Sequence, residues 1–407
     1  MKIVHTADWH LCDRLGRINR TADLRERVER VAAYSEEHQA DVLVIAGDLF
    51  FEDARHDEMA DALTHLNRTF RPFFARGGTI LAVTGNHDLD TRIDLVRAGM
   101  ALVTPPTVAG GELSPGRMYL LNRCSYGTLS ARTGDRVQFV FVPYPFAHRY
   151  DLPPGFRTRE ELNTELQNRV AEWVQAVPTR PGFDRALPTV LVAHLHVSGA
   201  QVRNLYRISP REDVVIAPGF LHATWAYVAL GHIHQAQHLP GLEHVRYSGP
   251  LDRLDMGERE DVRGVWLVDV GPTGLREQLT WLPLDPTLML DITIAGRDDL
   301  EAAAVHPQRE SAIVRATVTA TDLPRDDVTR DLRRAFLRLH EIRWAETPSA
   351  PSAQTGTEPL HHTADTAGTV RAYLEREIPM DHPHRQRLFD LADQFLTEEA
   401  NRDPAAH

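Results

Sequence analysis

Short apolar runs recur along the first two thirds of the chain, and several stop abruptly at a polar cluster. Ile3-Val4 leads into His5-Thr6-Ala7-Asp8-Trp9-His10, Val42 to Ala46 into Gly47-Asp48, and Ile80 to Val83 into Thr84-Gly85-Asn86-His87-Asp88. Later, Val190 to Ala193 meets His194, and Tyr227 to Leu230 meets Gly231-His232-Ile233-His234; Val137 to Val142 is a further run. Continuous apolar stretches of this length suit strands buried on both faces. Leu24 to Glu37, and Glu160 to Val177 before Pro178, carry a helical pattern instead. Alternating strand and helix predicts an α/β sandwich. The polar clusters fall at the carboxyl ends of the strands, where open α/β sheets build their sites.

Two more helical stretches carry apolar stripes: Met59, Leu63, Leu66 and Phe70 within Asp57 to Phe70, and Leu95, Val96 and Met100 within Asp90 to Leu102. Such a stripe can face a core or a second copy of the chain, and helical spacing alone favours core. Pro283-Leu284-Asp285-Pro286 marks a boundary. Beyond it Leu288, Leu290, Ile292 and Ile294 alternate as a strand, as do Val314, Ala316 and Val318; Asp326 to Leu339 reads as a helix and Glu341 to Ala345 as another strand. The expected organisation is an α/β domain over 1–284, a small α+β unit over 285–346, a Thr/Ser/Ala/Pro-rich flexible linker over 347–368, and a helical segment over 369–400. The first terminal helix presents Val370, Tyr373, Leu374 and Ile378, and the second Leu388, Leu391 and Phe395. A tethered amphipathic pair has little to bury its apolar face against, so a docking role is expected.

Composition narrows the class. At 42% hydrophobic and 25% charged residues the chain is an ordinary globular protein. No apolar run reaches the roughly 18–20 residues of a membrane span, and the N-terminus lacks the apolar core of a signal peptide, so a cytoplasmic location is expected. Cys12 and Cys124 are the only cysteines, which supports neither a disulfide framework nor a thiolate metal site. The net charge of −12 disfavours tight duplex binding by the whole surface, although local patches or a partner can supply the grip. Lys2 is the single lysine among 45 basic residues, a bias that reflects coding composition better than function.

The polar clusters carry the chemistry. Asp8-x-His10 and His232-x-His234 each set two side chains on one side of an extended segment. Gly47-Asp48 and Gly85-Asn86-His87-Asp88 allow sharp turns after a strand. The donors are oxygens and imidazoles without sulfur, a set that suits Mn²⁺, Fe²⁺ or Zn²⁺, with Mn²⁺ fitting the hard oxygens. Asp8, His10, Asp48, Asn86, His194, His232 and His234 are too many for one ion that must also bind substrate, and two ions sharing Asp48 are the economical solution. Among 21 histidines a lone one such as His5 or His38 is structural or solvated; the ordered set at strand ends is not coincidence.

The order of these motifs resembles that of the calcineurin-like metallophosphoesterases. His5-Thr6-Ala7-Asp8-Trp9-His10-Leu11, Ala193-His194-Leu195 with Gly199-Ala200, and Ala229 to His234 with His244-Val245-Arg246-Tyr247 are similar to the SbcD family of double-strand-break repair nuclease subunits. The resemblance implies a sandwich of two mixed β-sheets flanked by helices, with an α+β capping domain and C-terminal helices that bind the partner. One metal would take Asp8, His10 and His234, the other Asn86, His194 and His232, with Asp48 bridging. His87 would stand over the scissile phosphate and stabilise or protonate the leaving oxygen, and Asp88 would orient His87. His196 is a rival ligand, but the Gly-Ala register favours His194. The family has a polar residue, often Asp or His, three positions after the bridging Asp; Phe51 stands there, leaving Glu52, Asp53 or His56 to compensate.

The resemblance further implies a DNA endo/exonuclease with two Mn²⁺ ions, partnered by an SbcC-type coiled-coil ABC ATPase and dimerising through the helices after the second and third motifs. A small-molecule phosphodiesterase or protein phosphatase would share the metal core but has less use for a cap and tethered helices. A metal-free scaffold would be expected to have lost ligands, and all seven positions are filled.

Overall fold

The computed structural model describes residues 1–101, 109–202, 214–221, 225–345, 374, 378 and 384–400. In chain order the elements that build it are β1 (Lys2–Thr6), α1 (Thr21–Glu37), β2 (Val42–Ala46), α2 (His56–Ala75), β3 (Thr79–Val83), α3 (Asp90–Ala101), β4 (Arg136–Val142), α4 (Arg159–Ala176), β5 (Thr189–His194), β6 (Trp225–Gly231), β7 (Leu242–Tyr247), β8 (Arg263–Gly271) and β9 (Thr280–Leu284). Then follow β10 (Met289–Ile294), α5 (Arg297–Ala304), β11 (Ile313–Val318), α6 (Arg325–Ala335), β12 (Leu339–Trp344) and α7 (Arg385–Ala400).

Two mixed seven-stranded sheets face each other. In the first, β1, β2 and β3 run parallel and β8 closes antiparallel on β1, with β9 antiparallel on β8. In the second, β4, β5, β6 and β7 are parallel neighbours. Residue alternation explains the continuous apolar runs. Val42, Val44 and Ala46 of β2 point into the core between the sheets with Phe139, Val190 and Tyr227, while Leu43 and Ile45 pack outward against α1 and α2. Helix α4 covers the outer face of the second sheet through Leu166, Val170 and Val174.

Residues 289–345 form a parallel three-stranded sheet, β10-β11-β12, packed on α5 and α6 around Val314, Ala316, Val328 and Leu332. Helix α6 ends at Ala335, shorter than the expected stretch to Leu339, because Leu339 already belongs to β12. This sheet belongs to the same compact unit as the sandwich, which runs from Met1 to Ala345; Glu346 to His407 is a second unit. Ion pairs and hydrogen bonds tie the small sheet to the sandwich. Arg20 meets Asp252 at 3.0 Å, Asp252 accepts from Thr287, and Arg338 pairs with Asp23 of α1.

The stripe on α2 divides as expected, with Met59, Leu66 and Phe70 buried. That on α3 follows in part: Val96 and Met100 are half-buried and pack against the core, whereas Leu95 is 66% exposed. Between α2 and α3 lies an apolar groove of about 640 Å³. Trp9, Met59, Leu66, Phe70, Val96 and Met100 line it. Both cysteines are free. The expected linker, Val370 and Tyr373, and the side chain of Phe395 lie outside the described residues; Leu388 and Leu391 are exposed on α7. Among the described residues no helix is long and apolar enough to cross a membrane.

Candidate metal centre

The predicted ligands converge where the carboxyl ends of five strands from both sheets meet. Asp8 and His10 follow β1, Asp48 follows β2, the turn 85–88 follows β3, His194 ends β5, and His232 and His234 follow β6. Asp8, His10, Asp48 and His232 have positive φ angles of 51°, 44°, 50° and 95°. Non-glycine residues in this region are strained, and such strain gathers at functional sites. Two glycines make the approach possible. A Cβ on Gly47 (φ +99°) would lie 1.9 Å from His194 Nδ1, and one on Gly85 would lie 2.0 Å from Asp48 Oδ1.

Three donor groups lie within chelating reach: Asp8, His10 and His234; Asp8, Asp48 and His194; and His10, Asp48 and His87. Asp48 Oδ2 is 3.6 Å from His10 Nε2 and 3.3 Å from His194 Nε2, so one carboxylate faces both halves of the site. Asn86 lies against the His194 side, its Oδ1 3.1 Å from His194 Nε2 and 2.9 Å from His232 Nδ1. The rings are held from behind. His194 Nδ1 donates to Ala46 O at 2.7 Å, and Asp8 accepts from the His232 amide at 3.0 Å. His194 therefore presents Nε2 to the site, the arrangement a metal-binding imidazole needs. His196 belongs to none of the three donor groups.

The electrostatics describe a pocket built for cations. Burial raises the Asp8 carboxyl above its ordinary range. Burial would do the same to Asp48, but the surrounding imidazoles, His194 foremost, hold it well below. Burial works against a charged His194, yet Asp48 and Asp8 draw its pKa up to about 9. Buried carboxylates thus pull protons onto neighbouring imidazoles, and divalent cations would replace those protons. An all-N/O donor set split around one shared carboxylate fits a pair of first-row ions.

His87 lies within chelating reach of His10 and Asp48, its ring 4.9 Å from that of His10 and its amide donating to Asp48 Oδ1 at 2.8 Å. Asp88 takes a route other than the expected one. Its carboxylate accepts from the amides of Gly85, Leu49 and Phe50 at 2.9, 3.1 and 3.0 Å, stitching the turn after β3 to the loop after β2. Asp88 therefore fixes backbone, and the carboxylate at the His87 ring is Glu52, which meets Nδ1. Burial and the charge of Asp48 raise Asp88 to about 6. Phe51 is bypassed: the chain turns at Glu52, one residue later, and delivers the acid there.

Sequence reasoning missed two residues. Glu258, in the short 3-10 helix Met256–Glu258, accepts from His234 Nδ1, and Arg149 braces the turn 85–88. Neither is near a motif in sequence, so only the fold could reveal them.

The calcineurin-like phosphoesterase family matches residues 1–236, and the chain belongs to that family. Within it the chain is similar to the SbcD subunit of the nuclease SbcCD from Escherichia coli K12, at 29% identity over 279 residues, 66% of this chain and 64% of that protein. It thus aligns with just under two thirds of the E. coli protein's length. The corresponding SbcCD nuclease subunit of Rhodobacter capsulatus is 27% identical over 402 residues, covering 92% of this chain and 94% of the relative. That of Bacillus subtilis is 23% identical over 347 residues, covering 76% and 83%.

Proposed function

We propose that this chain is a metal-dependent nuclease subunit that hydrolyses DNA phosphodiester bonds with two divalent ions, Mn²⁺ fitting the donor set best. The observation that carries the reading is the convergence of Asp8, His10, Asp48, Asn86, His194, His232 and His234 around one bridging carboxylate, with His87 at the rim. Bound there, a metal pair supplies an activated water and charge stabilisation for an in-line displacement. Asp8, His10 and His234 would hold one ion, Asn86, His194 and His232 the other, with Asp48 between them. His87 would face the scissile phosphate and give a hydrogen bond or a proton to the leaving oxygen from the ring nitrogen opposite Glu52, while Asp88 keeps its turn in place.

The SbcD relatives support a partnership with an SbcC-type coiled-coil ATPase in DNA repair, in the cytoplasm, with Leu374, Ile378, Leu388 and Leu391 among the docking residues. An ATPase partner would also supply cationic surface that a chain of net charge −12 lacks. The exposed apolar groove on α2 and α3 is the face through which the chain would form a homodimer.

The deciding experiment incubates the purified chain with Mn²⁺ and circular single-stranded DNA, beside His87→Ala and a chromogenic phosphodiester. Cutting of the circle that vanishes in the variant supports the reading. Hydrolysis of the small ester alone, with the circle intact, would overturn it for the lone subunit in favour of a small-molecule phosphodiesterase.

A further inference from the structure

The turn that carries Asn86 and His87 has no regular structure, so its shape depends on what grips it. Asp88 holds it from the inner side. On the outer side stands Arg149, in the short 3-10 turn Ala147–Tyr150 after β4, with its side chain 1% exposed. Its Nη1 donates to Gly85 O and its Nη2 to Asp88 O, both at 2.8 Å, and Nη1 also reaches Tyr144 O at 3.4 Å. Its Nε donates to the two oxygens of Asp90 at 3.0 and 3.2 Å, and the Phe146 ring lies 4.8 Å from the guanidinium carbon. A rigid planar fork is suited to taking carbonyls at both ends of one turn at once. Gly85 and Asp88 bracket Asn86 and His87, so this fork sets the span of the turn between them.

We infer that Arg149 is the positioning residue of the catalytic turn, holding the His87 ring in its working direction and acting on the reaction through that ring. The inference rests on the reading of His87 given above. Asn86 depends less on the clamp, because its amide oxygen, 3.1 Å from His194 Nε2 and 2.9 Å from His232 Nδ1, would share an ion with those two rings. His87 reaches the site from the middle of the turn, and Glu52, its carboxylate partner, has a 42% exposed side chain. A buried guanidinium is a poor choice for stability alone, since well-packed apolar residues often do as well. A small misplacement of a reacting group, by contrast, can cost about 100-fold in rate.

The test is a double-mutant cycle in the full chain with Mn²⁺ and a phosphodiester that has an alkoxide leaving group, comparing Arg149→Lys, His87→Ala and both. Lysine keeps the charge beside Asp90 but cannot span two carbonyls. Arg149→Lys is expected to lower kcat about 10- to 100-fold with KM within about 2-fold, and to speed amide exchange in residues 84–90. In the His87→Ala background the same change is expected to cost less than about 3-fold. Asp90→Asn, which loosens the guanidinium without removing it, should show a smaller loss with the same dependence on His87. An equal loss in both backgrounds, or wild-type kcat in folded Arg149→Lys or Asp90→Asn protein, would overturn the inference. Wild-type kcat in His87→Ala alone would instead overturn the role of His87, and the exchange rates would still report whether Arg149 holds the turn.

Discussion

Glu258 Oε1 lies 2.8 Å from Nδ1 of His234, while its other oxygen accepts from Arg263 at 2.6 Å and the Leu254 amide at 2.8 Å. Burial opposes ionisation of Glu258, yet His234 and Arg263 bring its pKa down to about 2. A fixed carboxylate behind a ligand imidazole sets its tautomer and raises its basicity. Glu258→Gln should weaken Mn²⁺ binding about 10- to 100-fold, measured by titration calorimetry, with the fold retained. Glu258→Ala should also lower the unfolding midpoint, because it strips a partner from the buried Arg263 charge.

Gly85→Ala should abolish metal binding outright. The added Cβ would meet Asp48 Oδ1 at 2.0 Å, so the Asp48 carboxylate or the whole turn must move. Circular dichroism would show folded protein with no heat of Mn²⁺ binding; wild-type affinity would refute the placement of Asp48.

Glu52 offers a test of the His87 pair. Glu52→Gln keeps the shape but removes the charge, and a kcat loss of about 10-fold is expected, with Glu52→Ala losing more. Unchanged kinetics in Glu52→Ala would show that the contact with His87 is incidental.

His5 predicts an acid limb. Burial brings its pKa from 6.5 down to about 3, while Tyr227 OH lies 2.8 Å from its Nδ1. The unfolded chain therefore binds a proton that the native chain refuses between those values. The stability of a neutral His5 is fully present above pH 6.5 and is lost as pH falls through this window, at about 1.4 kcal/mol per pH unit. Urea unfolding in chelator at pH 7.5 and 5 should show a steeper loss for the wild type than for His5→Asn.

The groove on α2 and α3 makes a prediction about assembly. Leu95→Glu together with Met100→Glu should give monomer in sedimentation velocity where the wild type gives dimer, with Mn²⁺ affinity unchanged. A wild-type chain that is monomeric at micromolar concentration would remove the dimer proposal.

Much of this protein was legible from local pattern. Buried strands announce themselves by apolar runs, and Asp8, Asp48, Asn86, His194 and His232 stood out because metal-binding residue types recurred in order at the ends of those runs. The small α+β unit was equally readable from its alternating strands, whereas the last turn before β12 was not, since strand and helix compete over Arg338 and Leu339. What only the tertiary structure decided is which groups face each other across long sequence separations. Asp48 sits between His10 and His194 because β2 lies between β1 and β3 while β5 packs across the sandwich. Glu258 reaches His234, Glu52 reaches His87 in place of Phe51, and Arg149 closes on the turn 85–88 for the same reason. Periodicity reports which face of an element is buried; it carries no information on what arrives from the other side.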